Sequence, residues 1–369
     1  MRSLFARILA FFAAAVCLLL PLSHARAEET VRIAIVENAS EIRLAGKGLE
    51  VRLLAEGERY AKAKGGTSTV SLKGGKMFLD GVRVDVPDGV KFRSESVVQV
   101  SGKHVRGQIE IRPTAKGKLI AINVLTLESY LHAVLGSEMP ASFPPEALKA
   151  QAVAARTYAL QKKIAAWGKA YHLGSTVLDQ VYGGTQAEDP RTRVAVDATR
   201  GEVLIYDMEL VEAYFHSSCG GKTENGKEAL GRPLPYLKSV SCPCSSLPQT
   251  SWQKTFTQSQ MEKLIPGFKS LRITSKTATG RVEKVQVKGK KSEKTLSGVD
   301  VRRILGYGDL KSLSFSFTQK GGNYTFSGKG FGHGAGLCQW GANRLAAQGK
   351  NYREILNHYY PGSEIIKMY

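Results

Sequence analysis

The chain has few cysteines, few acids for its number of bases, and almost no long apolar run. Five cysteines in 369 residues exclude a scaffold held mainly by disulfides, and a chain of this length buries enough surface to form a core without them. Acidic residues number 32 against 52 lysines and arginines, a net charge of +20. Past Leu22 no apolar stretch approaches the roughly 20 residues of a membrane-spanning helix, which excludes a helical span in the remainder.

The N-terminus has the features of a leader. Arg2 and Arg7 precede an apolar run from Ile8 to Leu22, and Ala25-Arg26-Ala27 forms a small-x-small cleavage site. Residues 1–27 therefore read as a secretory signal peptide, with the mature chain beginning at Glu28 and keeping no stable membrane span; an uncleaved anchor is the alternative. Cys17 sits inside the apolar run with leucines after it, unlike a lipoprotein anchor. The leader holds Arg2, Arg7 and Arg26 and no acid, so the exported chain stays strongly basic. For a protein bound for the periplasm or cell wall, nucleic acid is a poor partner. The charge suits anionic wall polymer or lipid headgroups, or serves solubility alone.

Residues 31–125 alternate as β-strands do. Val31 to Val36, Val82 to Val86 and Val97 to Val100 are short strands, and Gln108 to Pro113 with Leu119 to Val124 predicts a hairpin around Lys116-Gly117. No catalytic constellation occurs there. From Leu127 the pattern changes: Leu127 to Leu135 predicts a short helix, and a long helix comes next, to about Trp167. Pro144 and Pro145 suit its entry, Ser142 its cap, and Glu146 its positive end. Between Ala147 and Leu160 there is no Gly or Pro, and Leu148, Ala152, Ala155 and Ala159 share one face. Gly201 to Tyr206 and Glu212 to Gly221 read as strands. Residues 252–320 are Lys-rich, with helices near Gln258–Leu264 and Gly298–Leu305.

Two places carry chemistry. Between the helices, Gly136-Ser137-Glu138-Met139-Pro140 predicts a tight turn holding one carboxylate. Glu138, flanked by Met139 and Phe143, is expected to be desolvated, which favours its protonated form and suits a general acid. The other is Gly328 to Gly336, with glycine at every second position. In an extended chain one face would carry only hydrogen and admit close approach, while Lys329, Phe331 and His333 occupy the other. Tight packing at the centre of the fold is the alternative to a groove wall.

Several ordered motifs resemble the SpoIID/LytB domain family, named after stage II sporulation protein D. They are Gly136–Ala159, Val181-Tyr182-Gly183-Gly184, Ala213–Glu224, Pro235-Tyr236-Leu237, Gly332–Ala342 and His358–Gly362, bracketing about residues 120–369. With the signal peptide 1–27 and the β alternation, read as a small β-rich N-terminal module at 28–118, the resemblance completes an α+β protein: it implies a mixed α/β SpoIID-like domain at 119–369 with a substrate groove, in which the Lys-rich stretch at about 252–320 reads as a peripheral insertion. It implies activity on peptidoglycan glycan strands, as a lytic transglycosylase with Glu138 as catalytic acid or as an enhancer of a cell-wall amidase. A structural wall-binding protein held by charge is a third class. Arg156, Tyr182, His216, His333, Gln339 and Trp340 are the candidate substrate contacts. Arg156 would meet the lactyl carboxylate or fix the turn holding Glu138, and the aromatic groups would meet sugar rings.

Some members of this family bind zinc through His and Cys residues between the long helix and the Tyr-Gly-Gly turn. Here that stretch keeps only His172, with no cysteine between residues 160 and 200, so no metal or other cofactor is expected from the resemblance. His216, Cys219, Cys242 and Cys244 have the chemistry of a different metal site. A disulfide from Cys219 to Cys242 or Cys244 is the plainer expectation, because the Cys-Pro-Cys spacing strains a bridge between Cys242 and Cys244; Cys338 is left free.

Overall fold

A computed structural model describes residues 28–54, 61–245, 247–290 and 292–369; the expected leader, residues 1–27, lies outside them. The architecture is α+β. Strand Thr30–Ala39 pairs antiparallel with Leu119–Thr126, which pairs in turn with Gln108–Pro113 as a hairpin registered from Pro113 opposite Leu119 to Gln108 opposite Val124. These are the central strands of a seven-stranded sheet whose far edge is Ala61–Lys62 and whose near edge is the short Leu173–Gly174, parallel to Thr30–Ala39. A six-stranded sheet, with Glu41–Ala45 and Thr67–Lys73 at its centre, covers it. Val82–Val84 is an exposed edge strand, shorter than the alternation suggested.

The sheet runs across residue 118, so the β-rich stretch and the helical region after it share one apolar core, from Val31 to Tyr360. Helix α1, Leu127–Glu138, leaves the sheet directly from strand Leu119–Thr126, with Thr126 as its N-cap. It is longer than its sequence suggested and carries Glu138 as its last residue, so Glu138 closes a helix rather than sitting in a turn. Helix α2, Pro145–Ala165, starts at Pro144 without a side-chain cap; Ser142 does not fill that role. Every residue of α2 from Ala147 to Leu160 is buried except Lys149. The helix is therefore enclosed on all sides rather than along one stripe, and its alanines let neighbours approach closely. Around it pack α1, α3 (Pro190–Ala198), α7 (Gln339–Ala347) and α8 (Tyr352–Tyr359).

The Lys-rich insertion builds a second core from Trp252, Phe256, Phe268, Val285, Tyr324 and Phe326 among others. Two three-stranded sheets and helices α5, Gln258–Leu264, and α6, Gly298–Leu305, surround it; the five-residue α4, Gly226–Leu230, precedes the insertion. Of the strand expected from 212 to 221, only Phe215–His216 forms, pairing parallel with Leu337–Cys338. The glycine alternation is not an extended ribbon. Gly330, Gly332, Gly334 and Gly336 have φ of 85, 117, 90 and 69°, a left-handed region that favours glycine. Close approach is nonetheless real: a Cβ on Gly336 would lie 2.0 Å from the Tyr214 carbonyl oxygen.

Candidate functional site

Glu138 ends α1 half-buried, and its Oε1 accepts a hydrogen bond from the Val181 amide at 2.7 Å. Burial pushes its pKa up, while the Val181 amide and the Gln339 carboxamide pull in the other direction without cancelling the shift. Its place at a helix C-terminus acts the same way as burial, because the negative end of the helix dipole disfavours a second negative charge there. Other carboxylates in this region are paired. Asp179 takes Lys162 at 3.1 Å and the Gly174 amide at 2.8 Å. Glu188 takes Arg106 and Arg193, and Glu146 takes Lys149. Among the described residues no cation pairs with Glu138, so only neutral hydrogen-bond donors oppose the effect of burial.

The segment 180–184 is fixed from three directions. Gln180 accepts from the Tyr130 hydroxyl at 3.1 Å and donates to the Ala155 carbonyl at 3.2 Å. The Tyr182 hydroxyl donates to Asn123 Oδ1 at 2.8 Å, and Asn123 Nδ2 donates to the Arg106 and Gln108 carbonyls. The Gly183 amide donates to Ser137 Oγ at 3.1 Å. Gly184 has φ 71°, and a Cβ there would lie 2.2 Å from the His104 carbonyl oxygen. The Tyr-Gly-Gly segment thus works as a bracket that sets the Val181 amide on Glu138. Sequence reasoning missed that backbone donor, and missed Ser137 and Asn123 behind it. The only signal was the Tyr-Gly-Gly segment itself, which drew attention to its side chain instead.

This corrects several expected substrate contacts. Tyr182 is buried against Tyr130 and bonded to Asn123, so it offers no face to a sugar. Arg156 is wholly buried in a bidentate pair with Glu128 and also donates to the Val196 and Glu202 carbonyls; it reaches no ligand and does not touch the chain around Glu138. His216 is buried, with Nδ1 donating to the Ala335 carbonyl at 3.0 Å. His333, half-buried, is pushed down to about 4 by burial. It is therefore neutral at pH 7, its Nδ1 accepting from the Ala335 amide and its Nε2 donating to the Phe215 carbonyl.

The other two expected contacts sit together at the start of α7. Gln339 opens α7, buried, its Nε2 meeting no hydrogen-bond acceptor in spite of its influence on the Glu138 carboxyl. Trp340 is half-buried, edge-on to Phe143 at 4.8 Å. Phe143 comes after the Pro140 turn beyond Glu138, so that pair ties α7 to the chain leaving Glu138. His172, the one histidine between α2 and the Tyr-Gly-Gly segment, accepts at Nδ1 from the Arg32 amide at 3.2 Å and serves the sheet edge.

The cysteines also depart from expectation. Cys219, Cys242, Cys244 and Cys338 are all free thiols, and all are buried. Cys219 is not bridged to Cys242 or Cys244. Cys338 is not set apart but belongs to the same group, from which His216 is absent: the four sulfur atoms lie within 4.8 Å of one another.

A family model described as stage II sporulation protein (SpoIID) matches residues 115–206, the stretch that holds α1, Glu138, α2 and the 180–184 bracket. A second, a domain of unknown function (DUF8618), matches residues 246–336. An amidase enhancer of Bacillus subtilis (strain 168) is 29% identical, covering 84% of this chain and 51% of the enhancer, so this chain spans about half of that protein's length. An uncharacterized protein of Brachyspira hyodysenteriae is 30% identical over 287 residues, 76% of this chain and 77% of that one. Stage II sporulation protein D of Bacillus subtilis (strain 168) is 36% identical over 266 residues, 66% of this chain and 76% of that protein. Identity of that extent, together with the match to the family model, shows that the chain belongs to the SpoIID/LytB family.

Proposed function

We propose that this protein is an exported peptidoglycan lytic transglycosylase in which Glu138 acts as acid and then as base. The observation that carries this reading is one carboxyl group raised in pKa by burial, held through one oxygen by the Val181 amide, and left without a cation. An ordinary glycosidase needs two carboxylates, the second to handle water or the anomeric carbon. A transglycosylase works with one, because the C6 hydroxyl of N-acetylmuramic acid is already tethered beside the reacting carbon.

Glu138 protonates the glycosidic oxygen between N-acetylmuramic acid and N-acetylglucosamine, and the bond from that oxygen to the muramic C1 breaks. The resulting carboxylate takes the proton from the C6 hydroxyl as its oxygen closes on C1. The product is a 1,6-anhydro end, no water is consumed, and Glu138 returns to its acid form. Gln339 and Trp340 are the side chains we assign to positioning the strand. The excess of lysine and arginine favours residence on an anionic wall.

The test is incubation of glycan strands stripped of peptide with the wild-type protein and with Glu138→Gln, then mass spectrometry of the ends. Anhydro ends from the wild type and none from the variant are expected. Equal yields would sink the assignment. The relationship to an amidase enhancer supports a second reading, a glycan-binding protein that stimulates an amidase. It predicts no new ends from this protein alone and faster peptide release when an amidase is added.

A further inference from the structure

Every cysteine outside residues 1–27 converges on one buried point. Cys219 lies just past strand Phe215–His216, Cys242 and Cys244 flank Pro243 in a loop, and Cys338 ends the parallel partner strand and caps α7. The segments are placed by backbone, not by sulfur. The Cys242 amide donates to the Gly221 carbonyl at 2.9 Å, Lys222 bridges Ser241, and the Phe215–His216 pairing fixes Cys338 beside them.

We propose that Cys219, Cys242, Cys244 and Cys338 form a tetrahedral site for a single zinc ion, unrelated in position to the His/Cys stretch that binds zinc in some relatives. Four thiolates at about 2.3 Å from one ion stand about 3.8 Å apart. Here Cys219 and Cys244 sulfurs are 3.4 Å apart and all four fall within 4.8 Å, so shifts of a few tenths of an ångström complete the tetrahedron. An all-sulfur tetrahedral set selects a soft ion such as zinc over magnesium or calcium.

The surroundings are those of thiolates. Cys338 Sγ accepts from two backbone amides, Cys219 and Gly341, both at 3.3 Å. The Tyr359 hydroxyl lies 3.2 Å from Cys242 Sγ. The Arg281 guanidinium, itself buried, donates to the Cys219 and Lys222 carbonyls at 2.9 Å and brings positive charge to a set that carries net negative charge when zinc is bound. Such outer contacts orient ligands and stabilise their charge. Gly341 is required by the packing here: a Cβ on it would lie 2.3 Å from Cys242 Sγ. The ion would tie the start of α7, and hence Gln339, to the 219–222 and 241–244 segments, closing three chain segments that no disulfide joins. Binding displaces the thiol protons, so affinity falls at low pH.

The experiment uses the full exported protein made in zinc-supplemented medium. Elemental analysis is expected to give one zinc per chain. Alkylation under denaturing conditions without reductant is expected to label all four cysteines, and cobalt exchange to give the intense visible bands of tetrahedral thiolate-bound cobalt. Chelation should lower the Tm, and one equivalent of zinc should restore it. Cys244→Ser and Cys338→Ser should each lose the ion. A disulfide in the unreduced protein, four free thiols with no zinc after zinc addition, or zinc retained by both variants would each overturn the site. If the variants fail to fold, stoichiometry and the cobalt spectrum of the wild type decide alone.

Discussion

Arg156 and Glu128 meet side by side in the dry core, Nε to Oε1 and Nη2 to Oε2 each at 2.8 Å, with 0 and 2% of their side chains exposed. Tyr369 and the Gly201 amide complete the Glu128 carboxylate. This pair joins α1 to α2 and to the end of the chain. Removing one member strands the other, which costs about 3–5 kcal/mol. Arg156→Leu is therefore expected to lose about that much in urea unfolding, while the folded fraction keeps the wild-type KM for glycan. A raised KM without lost stability would return Arg156 to the substrate.

Glu128 sets an acid limit on stability. Burial alone would raise its pKa, but the hydrogen bonds and charge of Arg156 outweigh burial and hold it below the usual range. A depressed folded-state pKa contributes stability above the unfolded value, about 4.3 for Glu, and loses it as pH falls through the folded one. Unfolding free energy should drop in that window in the wild type. A variant lacking both partners, Glu128→Met with Arg156→Leu, should show a shallower drop.

Glu138 has the opposite sign. Its folded-state pKa is raised, so its contribution is fully present below the unfolded value and is lost as pH rises through the folded one. Glu138→Gln should match the wild type in acid and exceed it in stability at alkaline pH. The same shift sets the activity profile: the alkaline limb of kcat/KM should lie above the range of an ordinary carboxyl. A limb at the ordinary Glu value, about 4.3, would refute the desolvated acid.

Tyr182→Phe removes the bond to Asn123 that steadies the Val181 amide. Leaving a buried acceptor unpaired costs about 1–3 kcal/mol, which a thermal melt will register. A positioning role adds a second readout. Because the Val181 amide lowers the Glu138 pKa, loosening it should move the alkaline limb of the pH profile upward and lower kcat more than it raises KM. An unmoved limb would reduce Tyr182 to packing alone.

Gly336→Ala places a methyl 2.0 Å from the Tyr214 carbonyl oxygen at a φ of 69°. The left-handed conformation alone costs about 1–3 kcal/mol for a residue with a Cβ, and the overlap adds to it. The variant is expected to melt lower and, since Gly336 leads into Cys338 and Gln339, to lose activity with stability.

Much of the frame was legible because local rules set it. The hairpin of 108–113 with 119–124 needed only alternation and a Lys-Gly turn, and the long helix only alanine, proline at its start and no breaker. The helices Gln258–Leu264 and Gly298–Leu305 fall where the pattern placed them. Glu138 stood out as a carboxyl among apolar neighbours, and its raised pKa agrees with that.

The sequence by itself determined the hairpin and the helices, since backbone preference and apolar spacing act over a few residues, but not the course of the 212–221 and 328–336 segments, whose conformation is set by the chain they pack against. It also determined that a lone acid lies at the junction of two helices. Only the tertiary structure decided what the polar side chains do, because that depends on partners far along the chain. Glu128 claims Arg156 from 28 positions away, Asn123 claims Tyr182 from 59, and Cys338 meets Cys219 across 119. Desolvation makes each of those meetings costly to leave unfilled, so the core takes its polar groups where it can pair them.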